Sequence, residues 1–372
     1  MAHIHPTITP PPSSPDGHTR SSSPSPLMLW TCGNTNLRAL RSTISSLRSS
    51  SSSSSSTARL PSLTLDILFS RTTTTPPTVH ARTMAAAAAS LVESAKKAAA
   101  YRAVDEHLAP SARFVGIGSG STVVYVVDAI AAKGPAFHAA MTFLPTGSQS
   151  KGLIRAAGLR LCNLDERPLG PDGKLVPIDV AFDGADEVDA DLNCIKGGGA
   201  CLFQEKLVAI AAKKFVVVAD YRKLSSRLLT NWKAIPIEVL PMSAPDVLDR
   251  LTALGSVKPL VRPGAPGKAG EVVTDNGMWL IDAPFPKLLL PQDLAAADPS
   301  SRQLGRDAAG AWEVSALARE LLMIPGIVEI GIFHGLDGLQ AARAGKEGLA
   351  QKPVAAYFGM EDGSVKVAAA SS

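Results

Sequence analysis

Cysteine, aromatic residues and long apolar runs are scarce in this sequence, and each scarcity excludes a class of protein. Four cysteines occur in 372 residues and none forms a CxxC pair, which excludes a disulfide scaffold and argues against a structural zinc site. No apolar run approaches the ~18 residues that a transmembrane helix requires, so we expect no membrane partner. Aromatic residues make up 5% of the chain against 45% hydrophobic residues overall, so any core must be built from Val, Leu, Ile and Ala.

Positive charge is concentrated at one end of the chain. Residues 1–88 contain seven arginines, no lysine and two acids, a net charge of +5, so the remaining residues carry −1 of the total +4. Because the body of the chain has no excess of basic residues, it lacks the electrostatic signature of a nucleic-acid-binding protein. We therefore expect no nucleic-acid partner.

Residues 1–88 form a leader that is rich in Ser, Thr and Pro and includes an unbroken serine run at 49–56. Such a segment buries too little apolar surface to offset the entropy lost on ordering. Its high Ser and Arg content and its few acids are typical of an organelle transit peptide. Two alternatives remain, an ordinary disordered tail and a translation start at Met84, which would leave the protein in the cytoplasm.

From about residue 89, apolar runs of strand length alternate with segments of helical periodicity. A first helix is predicted over 90–108. The predicted strands are 114–116, 141–144, 159–161, 180–182 and 215–219, and the predicted helices between them are 121–132, 148–157 and 201–213. This alternation predicts an α/β fold, in which a parallel sheet carries helices on both faces.

The pattern changes near residue 226. Strands predicted at 235–239, 271–273 and 279–281 flank a helix at 244–254, which indicates a small α+β insertion. Two more strand-forming segments follow, at 324–333 and 355–367. The chain is therefore divided into the leader, an α/β catalytic domain over 89–225 completed by about 324–372, and a smaller inserted α+β domain over 226–323.

A glycine-rich turn, Gly-Ile-Gly-Ser-Gly-Ser-Thr at 116–122, follows the first predicted strand and begins a helix. Free N–H groups and the positive dipole end of a helix favour an anion there. A dinucleotide fingerprint is incomplete, because Ser121 stands where the third glycine belongs and no acid ends the next strand. The turn therefore favours a single phosphate, and the alternative is a turn needed only for tight packing.

Three acids, Asp183, Asp186 and Glu187, crowd the end of another predicted strand, the edge of an α/β sheet where ligands bind. Clustered carboxylates can bind sugar hydroxyls, share protons or hold a metal, and one of them can have a pKa raised toward neutrality. The alternative is a solvated turn in which the aspartates cap backbone N–H groups.

A lysine opens a triple-glycine loop, Lys-Gly-Gly-Gly at 196–199, that leads into a helix containing Glu205. The loop backbone can wrap an oxyanion that Lys196 neutralises. The alternative for Glu205 is a favourable contact with the helix dipole alone. Lys223 follows a further strand, where it can reach an anion or remain a solvated charge.

One reaction uses a carboxylate base, fixed cations and an anion turn together. Moving a proton between neighbouring carbons beside a carbonyl needs a base and a positive group for the enediolate oxygen. A phosphate anchor supplies binding energy away from the reacting carbons. The residues therefore predict a phosphosugar enzyme working by acid–base chemistry, with no metal and no other cofactor.

Five segments, in order, resemble ribose-5-phosphate isomerase of the A type: GIGSGST, the run from Phe182 to Asp220, EVVTDNGMWLID, IPGIVEIGIF and YFGMEDGSVKV. The resemblance covers about residues 91–367. It implies a Rossmann-like α/β domain with a smaller α+β domain, a homodimer or homotetramer, and metal-free interconversion of ribose 5-phosphate and ribulose 5-phosphate through an enediolate. Since pentose phosphates also occur in carbon fixation, resemblance and leader together point to the pentose phosphate pathway, possibly the Calvin cycle, and the chloroplast.

The resemblance also implies roles for individual residues. Glu205 is the base that moves the proton between C1 and C2, Asp183 helps to open the sugar ring, and Lys196 with the glycine loop stabilises the enediolate oxygen. The implied substrate-binding residues are Ser119, Gly120, Ser121, Thr122, Asp183, Gly184, Ala185, Asp186, Lys196, Gly197, Gly198, Gly199, Lys223 and, near the phosphate, Lys97.

Two departures from the family pattern stand out. Residues 335–353 intervene where the family runs almost directly into the Ala-Tyr-Phe-Gly strand, so they are either a surface loop or an error in the gene model. Gly147 stands in a loop that is bulkier in the family. Competing functions are a coenzyme A transferase or phosphosugar deaminase of related fold, and a sugar-phosphate-sensing transcription regulator, which would need a DNA-binding motif before residue 90.

Overall fold

The computed structural model of the chain describes residues 79–295, 304–346 and 348–370. The predicted leader lies outside the described residues up to position 78, and so does the transit-peptide prediction that rests on it. The residues that the structure describes belong to one compact unit. No helix in the described part of the chain is both long and apolar enough to cross a bilayer.

Helices and strands alternate through most of this unit. In chain order the helices are α1 (Val79–His107), α2 (Val123–Ala132), α3 (Pro135–His138), α4 (Ser148–Ala156), α5 (Leu202–Ile210), α6 (Ala244–Ala253), α7 (Pro291–Ala295), α8 (Val314–Leu322) and α9 (Gly338–Arg343). The strands are β1 (Phe114–Ile117), β2 (Thr142–Pro145), β3 (Val180–Asp183), β4 (Glu187–Val188), β5 (Cys194–Ile195), β6 (Phe215–Asp220), β7 (Ile235–Val239), β8 (Leu260–Val261), β9 (Trp279–Ala283), β10 (Ile327–Ile330), β11 (Ile332–Phe333), β12 (Leu336–Asp337), β13 (Ala350–Lys352), β14 (Ala355–Gly359) and β15 (Val365–Ala369).

The main sheet has six strands in the order β15-β14-β6-β3-β1-β2, parallel except for the edge strand β15. Successive residues of a strand face opposite sides of a sheet. Accordingly, Val216 and Val218 pack with α1, α2 and α4 on one side, whereas Phe215 and Val217 pack with α5 on the other. The predicted α/β fold with helices on both faces is confirmed.

A second, antiparallel sheet has the order β10-β7-β9-β8. Its core also contains residues of α6 and α8, among them Val247, Leu251 and Leu317. The strand β10 (Ile327–Ile330) pairs in this sheet, beyond the predicted end of the inserted domain at residue 323. The division into domains otherwise stays a prediction.

The helix α1 begins at Val79, earlier than the predicted start of order near residue 89. The run of alanines from Ala85 to Ala89 explains the difference, because alanine has the highest intrinsic helix propensity. Two predicted strands are reduced to isolated bridges: one bridge at Leu161 replaces the first, and two bridges, at Glu271 and Val273, replace the second. The helix α8 was not predicted, although Glu313 caps its first N–H groups.

Residues 335–346 and 348–353 form a folded segment outside the main sheet and do not disrupt it. They comprise the helix α9 and the paired strands β12 and β13. After this segment, β14 pairs with β6 along its whole length, from Ala355 opposite Val216 to Gly359 opposite Asp220. The pairing of the last strands is therefore intact.

Candidate active site

The glycine-rich turn, the acidic turn and the triple-glycine loop meet at the carboxyl edge of the main sheet. The turns follow β1 and β3, which are adjacent and parallel, so their ends lie side by side. They surround a cavity of about 270 Å³. All of the residues that the sequence predicted for the site line this cavity, except Asp183, Gly198 and Lys97.

Glu205 lies in the first turn of α5 and is only 5% exposed. Its Oε1 accepts a hydrogen bond of 2.6 Å from the hydroxyl of Ser119, and its Oε2 lies 3.1 Å from Nζ of Lys196. The N-terminal end of a helix also favours a negative charge. The carboxylate is thus held by a hydroxyl, an ammonium group and a helix dipole while it faces the cavity.

Lys196 lies between two carboxylates. Its Nζ is 3.0 Å from Oδ2 of Asp183 and 3.1 Å from Oε2 of Glu205, and it donates a hydrogen bond to the carbonyl of Gly184. Burial lowers the pKa of Lys196, but the charges of Asp183 and Glu205 outweigh burial and raise the pKa above its usual value. The side chain therefore remains an ammonium group.

Asp183 is buried and does not line the cavity. Its Oδ1 accepts the N–H groups of Ser119 at 3.0 Å and Gly184 at 2.7 Å. Burial and then the negative charge of Glu205 raise the pKa of Asp183 to about 7, despite the nearby Lys196. With this pKa, Asp183 can exchange a proton near neutral pH. A side chain at position 118 would collide with the carboxylate, because a Cβ on Gly118 would lie 1.9 Å from Oδ1.

Asp186 links the acidic turn to the triple-glycine loop. Its Oδ2 accepts the N–H of Gly198 at 2.7 Å, and burial raises its pKa. Lys223 lines the other side of the cavity, with its Nζ 5.0 Å from the centre of the Trp232 ring. The cavity is thus lined by the acidic side chains of Asp186 and Glu205 and by the ammonium groups of Lys196 and Lys223.

Lys97 was predicted to lie near the phosphate, but it does not line the cavity. Lys97 is exposed, and its Nζ lies 5.3 Å from the centre of the Tyr101 ring. Lys96 is 5% exposed, and its Nζ donates to Glu93 at 2.8 Å and to the hydroxyl of Ser121 at 3.3 Å. One residue along a helix turns the side chain by about 100°, so packing of α1 brings Lys96 rather than Lys97 to the glycine-rich turn.

Gln149 lines the cavity and was not predicted. Its Oε1 accepts the N–H of Gly120 at 2.8 Å. The signal was its place just after β2, the neighbour of β1, whose carboxyl end meets the same edge. Gly147, two residues before Gln149, packs against Cys201, since a Cβ at position 147 would lie 3.1 Å from Sγ of Cys201. The N–H of the following residue, Ser148, donates to Asp275 at 2.9 Å.

A larger cavity of about 670 Å³ lies beside α4 and α5 and is lined by none of the predicted site residues. In the described part of the chain, no group of three or more His, Cys, Asp or Glu side chains is arranged to hold a metal ion. The expectation of a cofactor-free reaction stays a prediction.

The smaller cavity offers a defined set of chemical groups. Glu205 lines it as a carboxylate base and Lys196 as a buried cation, and Asp183, an acid of near-neutral pKa, does not line it but contacts Lys196. Beside these groups lies the turn at 119–122, which carries hydroxyls and N–H groups at the start of α2. This set suits a small anionic substrate in which a proton moves.

Comparisons with known proteins agree with this chemistry. The model of a family described as ribose 5-phosphate isomerase A (phosphoriboisomerase A) matches residues 142–299. The ribose-5-phosphate isomerase of the fungus Mycosarcoma maydis is 45% identical over 281 residues, which cover 75% of this chain and 82% of that protein. The enzyme of the same name from Schizosaccharomyces pombe is 44% identical over 283 residues, 76% of this chain and 85% of that one.

Solved structures of ribose 5-phosphate isomerases also resemble this chain. A ribose 5-phosphate isomerase A from Methanocaldococcus jannaschii is 29% identical, with a TM-score of 0.55, and the match covers 74% of this chain and 98% of that one. A D-ribose-5-phosphate isomerase solved in complex with phospho-erythronic acid is 30% identical, with a TM-score of 0.56, over 75% of this chain and 99% of the other.

Proposed function

The chain belongs to the ribose 5-phosphate isomerase A family, and on that premise we propose that it interconverts D-ribose 5-phosphate and D-ribulose 5-phosphate through an enediolate. The observation that carries this proposal is the buried group of Glu205, Lys196 and Asp183. One ammonium lies 3.0 and 3.1 Å from two carboxylates, beside the glycine-rich turn. That group combines a base, an acid and a fixed positive charge.

The reaction divides into ring opening and proton transfer. Asp183, with its raised pKa, gives a proton to the ring oxygen as the bond from that oxygen to C1 breaks, and its carboxylate then takes up the proton of the C1 hydroxyl, which leaves a carbonyl at C1. In the open chain, Glu205 then removes the proton from C2, and the electron pair moves onto the carbonyl oxygen at C1. Glu205 returns the proton to C1, and the hydroxyl proton of O2 is transferred to O1, which leaves a carbonyl at C2. Lys196 and the glycine loop stabilise the negative oxygen of the enediolate.

The phosphate binds at the turn of residues 119–122. The hydroxyls of Ser121 and Thr122 and the N-terminal end of α2 supply donors. Lys96, whose Nζ lies 3.3 Å from the hydroxyl of Ser121, and Lys223 supply positive charge on either side. Binding energy at the phosphate holds C1 and C2 over Glu205 without taking part in the chemistry.

A conversion assay tests the activity and its independence of metal. The full-length protein is incubated with ribose 5-phosphate, and formation of the ketose is followed spectroscopically with and without a chelator. Equal rates of ketose formation in both samples are expected. No turnover in either sample would refute the proposed function, whereas turnover only without the chelator would refute the metal-free reaction.

For the cellular context, the proposal is a transit peptide that directs the enzyme to the chloroplast, where it serves the pentose phosphate pathway and the Calvin cycle. The arginine-rich, acid-poor composition of residues 1–88 supports this. A fluorescent protein fused after residue 88 should enter the organelle. A diffuse cytoplasmic signal would reject the transit peptide and favour translation from Met84. A homodimer or homotetramer is proposed as well, and light scattering measures its mass.

A further inference from the structure

Arg262 connects the second sheet to the triple-glycine loop. It directly follows β8, and its Nε and Nη2 form a two-point ion pair with Asp282 of β9, at 2.8 and 2.6 Å. The remaining nitrogen, Nη1, donates to the carbonyls of Gly197 at 2.9 Å and Gly198 at 3.1 Å. The side chain is only 15% exposed, so solvent screens these contacts weakly.

Each of these two carbonyls shares a peptide group with an N–H of the triple-glycine loop. The N–H of Gly198 shares a peptide group with the carbonyl of Gly197 and donates to Asp186. The N–H of Gly199 shares a peptide group with the carbonyl of Gly198. Among the described residues it has no hydrogen-bond partner, and Gly199 lines the cavity. A cation bound to a peptide carbonyl makes the N–H of the same peptide a stronger donor, because hydrogen bonds in a chain polarise one another.

We propose that Arg262 is a positioning residue of the isomerase, which holds and polarises the Gly198–Gly199 peptide so that the N–H of Gly199 binds the enediolate oxygen. Asp282 fixes the plane of the guanidinium group. The inference rests on the proposed function, and it adds a residue that never touches the substrate. The guanidinium stabilises the transition state more than the neutral ground state, because negative charge on this oxygen develops only during the reaction.

A second arginine serves as a matched control. Arg227 forms the same two-point pair with Asp293, at 2.6 Å for both contacts, and its Nη1 donates to the carbonyl of Ser226. Neither residue of this pair lines the cavity. Arg227→Met therefore removes a comparable ion pair and carbonyl contact without touching the glycine loop.

The kinetic test compares Arg262→Met, Arg262→Lys and Arg227→Met with the wild type. Removal of a direct donor to a transition-state oxyanion lowers kcat by about 100- to 1,000-fold, and loss of its polarising partner is expected to cost less. For Arg262→Met we expect kcat to fall by about 10- to 100-fold with KM changed by less than about threefold. The kcat of Arg262→Lys should lie between that of Arg262→Met and that of the wild type, and the kcat of Arg227→Met should equal that of the wild type.

A binding test distinguishes polarisation from a merely structural role. The probes are 4-phosphoerythronate, whose carboxylate places negative charge near the enediolate position, and ribitol 5-phosphate, which is uncharged there. Arg262→Met should weaken binding of the carboxylate at least about tenfold more than binding of the alcohol. Equal weakening of both probes, or a kcat within about twofold of the wild type, would overturn the proposal.

Thermal unfolding of each variant accompanies both tests. If Arg262→Met does not fold, Arg262→Lys carries the comparison, and an unchanged ratio of the two probe affinities in that variant overturns the inference. A wild-type chain that does not convert ribose 5-phosphate would instead refute the proposed function. A wild type that turns over, together with a fully active Arg262→Met, would refute only the inference.

Discussion

Replacing Glu205 with Gln removes the proposed base while nearly preserving its shape. The hydroxyl of Ser119, 2.6 Å from Oε1, can still donate to an amide oxygen. The amide nitrogen would then face Nζ of Lys196, which lies 3.1 Å from Oε2 in the wild type. Since both of those groups are donors, the substitution also breaks the ion pair with Lys196.

The expected effect is large and confined to turnover. A positioned general base contributes about 10²- to 10⁴-fold to a rate, and each factor of ten corresponds to about 1.4 kcal/mol in the barrier. Glu205→Gln should therefore lower kcat at least about 100-fold, or about 3 kcal/mol. Ribose 5-phosphate should still bind, because the turn at residues 121–122 and Lys223, which are proposed to hold the phosphate, are unchanged.

The same substitution should alter Asp183. The negative charge of Glu205 is, after burial, the next cause of the raised pKa of Asp183. Without that charge, the pKa of Asp183 should fall below the wild-type value of about 7, and carbon NMR of its carboxyl group measures the change. A pKa that stays at the wild-type value would contradict the electrostatic coupling described for the site.

Two readouts follow the chemistry directly. Ketose formation gives kcat and KM, and proton NMR in heavy water gives the exchange of the C2 proton of ribose 5-phosphate, which should slow in parallel with kcat. Glu320→Gln, at an exposed position of α8 away from the cavity, is the matched control and should behave as the wild type. Unchanged turnover in Glu205→Gln would refute the assignment of the base.

Three further substitutions test the substrate-binding groups and the acid. Lys223→Ala should raise KM about tenfold and leave kcat within about threefold; a purely kcat defect would contradict its anchoring role. Gln149→Glu keeps an acceptor for Gly120 but adds negative charge beside the anion turn, so KM should rise and the rise should shrink in high salt. Asp183, with a pKa of about 7 against 3.8 in a model peptide, binds its proton more tightly when folded. Its stabilising contribution is therefore complete below about pH 3.8 and is lost as the pH rises through about 7, so Asp183→Asn should become more stable relative to the wild type across that window; a constant difference in thermal unfolding would contradict the raised pKa.

The fold and the general location of the site could be predicted because both depend on short-range patterns. A continuous apolar run, as in Phe215–Asp220, indicates a strand buried on both faces. Motifs at the ends of β1 and β3 must meet, since neighbouring parallel strands end at one edge of the sheet. The rule that neighbouring parallel strands end at one edge, together with the family resemblance, was enough to predict that Asp183, Lys196 and Glu205 share a site.

The placement of single side chains could not be predicted in the same way. Whether Lys96 or Lys97 approaches the glycine-rich turn depends on how α1 rotates against the sheet, which its neighbours in space determine. The start of α1 at Val79 and the two predicted strands that became bridges show the same limit at the ends of elements, where local propensities are weak.

Local sequence therefore specified the secondary structure and the chemical groups of the site, since helix and strand preferences act between near neighbours. Tertiary contacts decided how those groups work. Arg262 reaches the carbonyl of Gly197 across 65 residues of chain, and no local pattern encodes such a contact. The pKa of Asp183 near 7 likewise arises from burial and from the charge of Glu205, and both exist only once separate segments have packed together and excluded water.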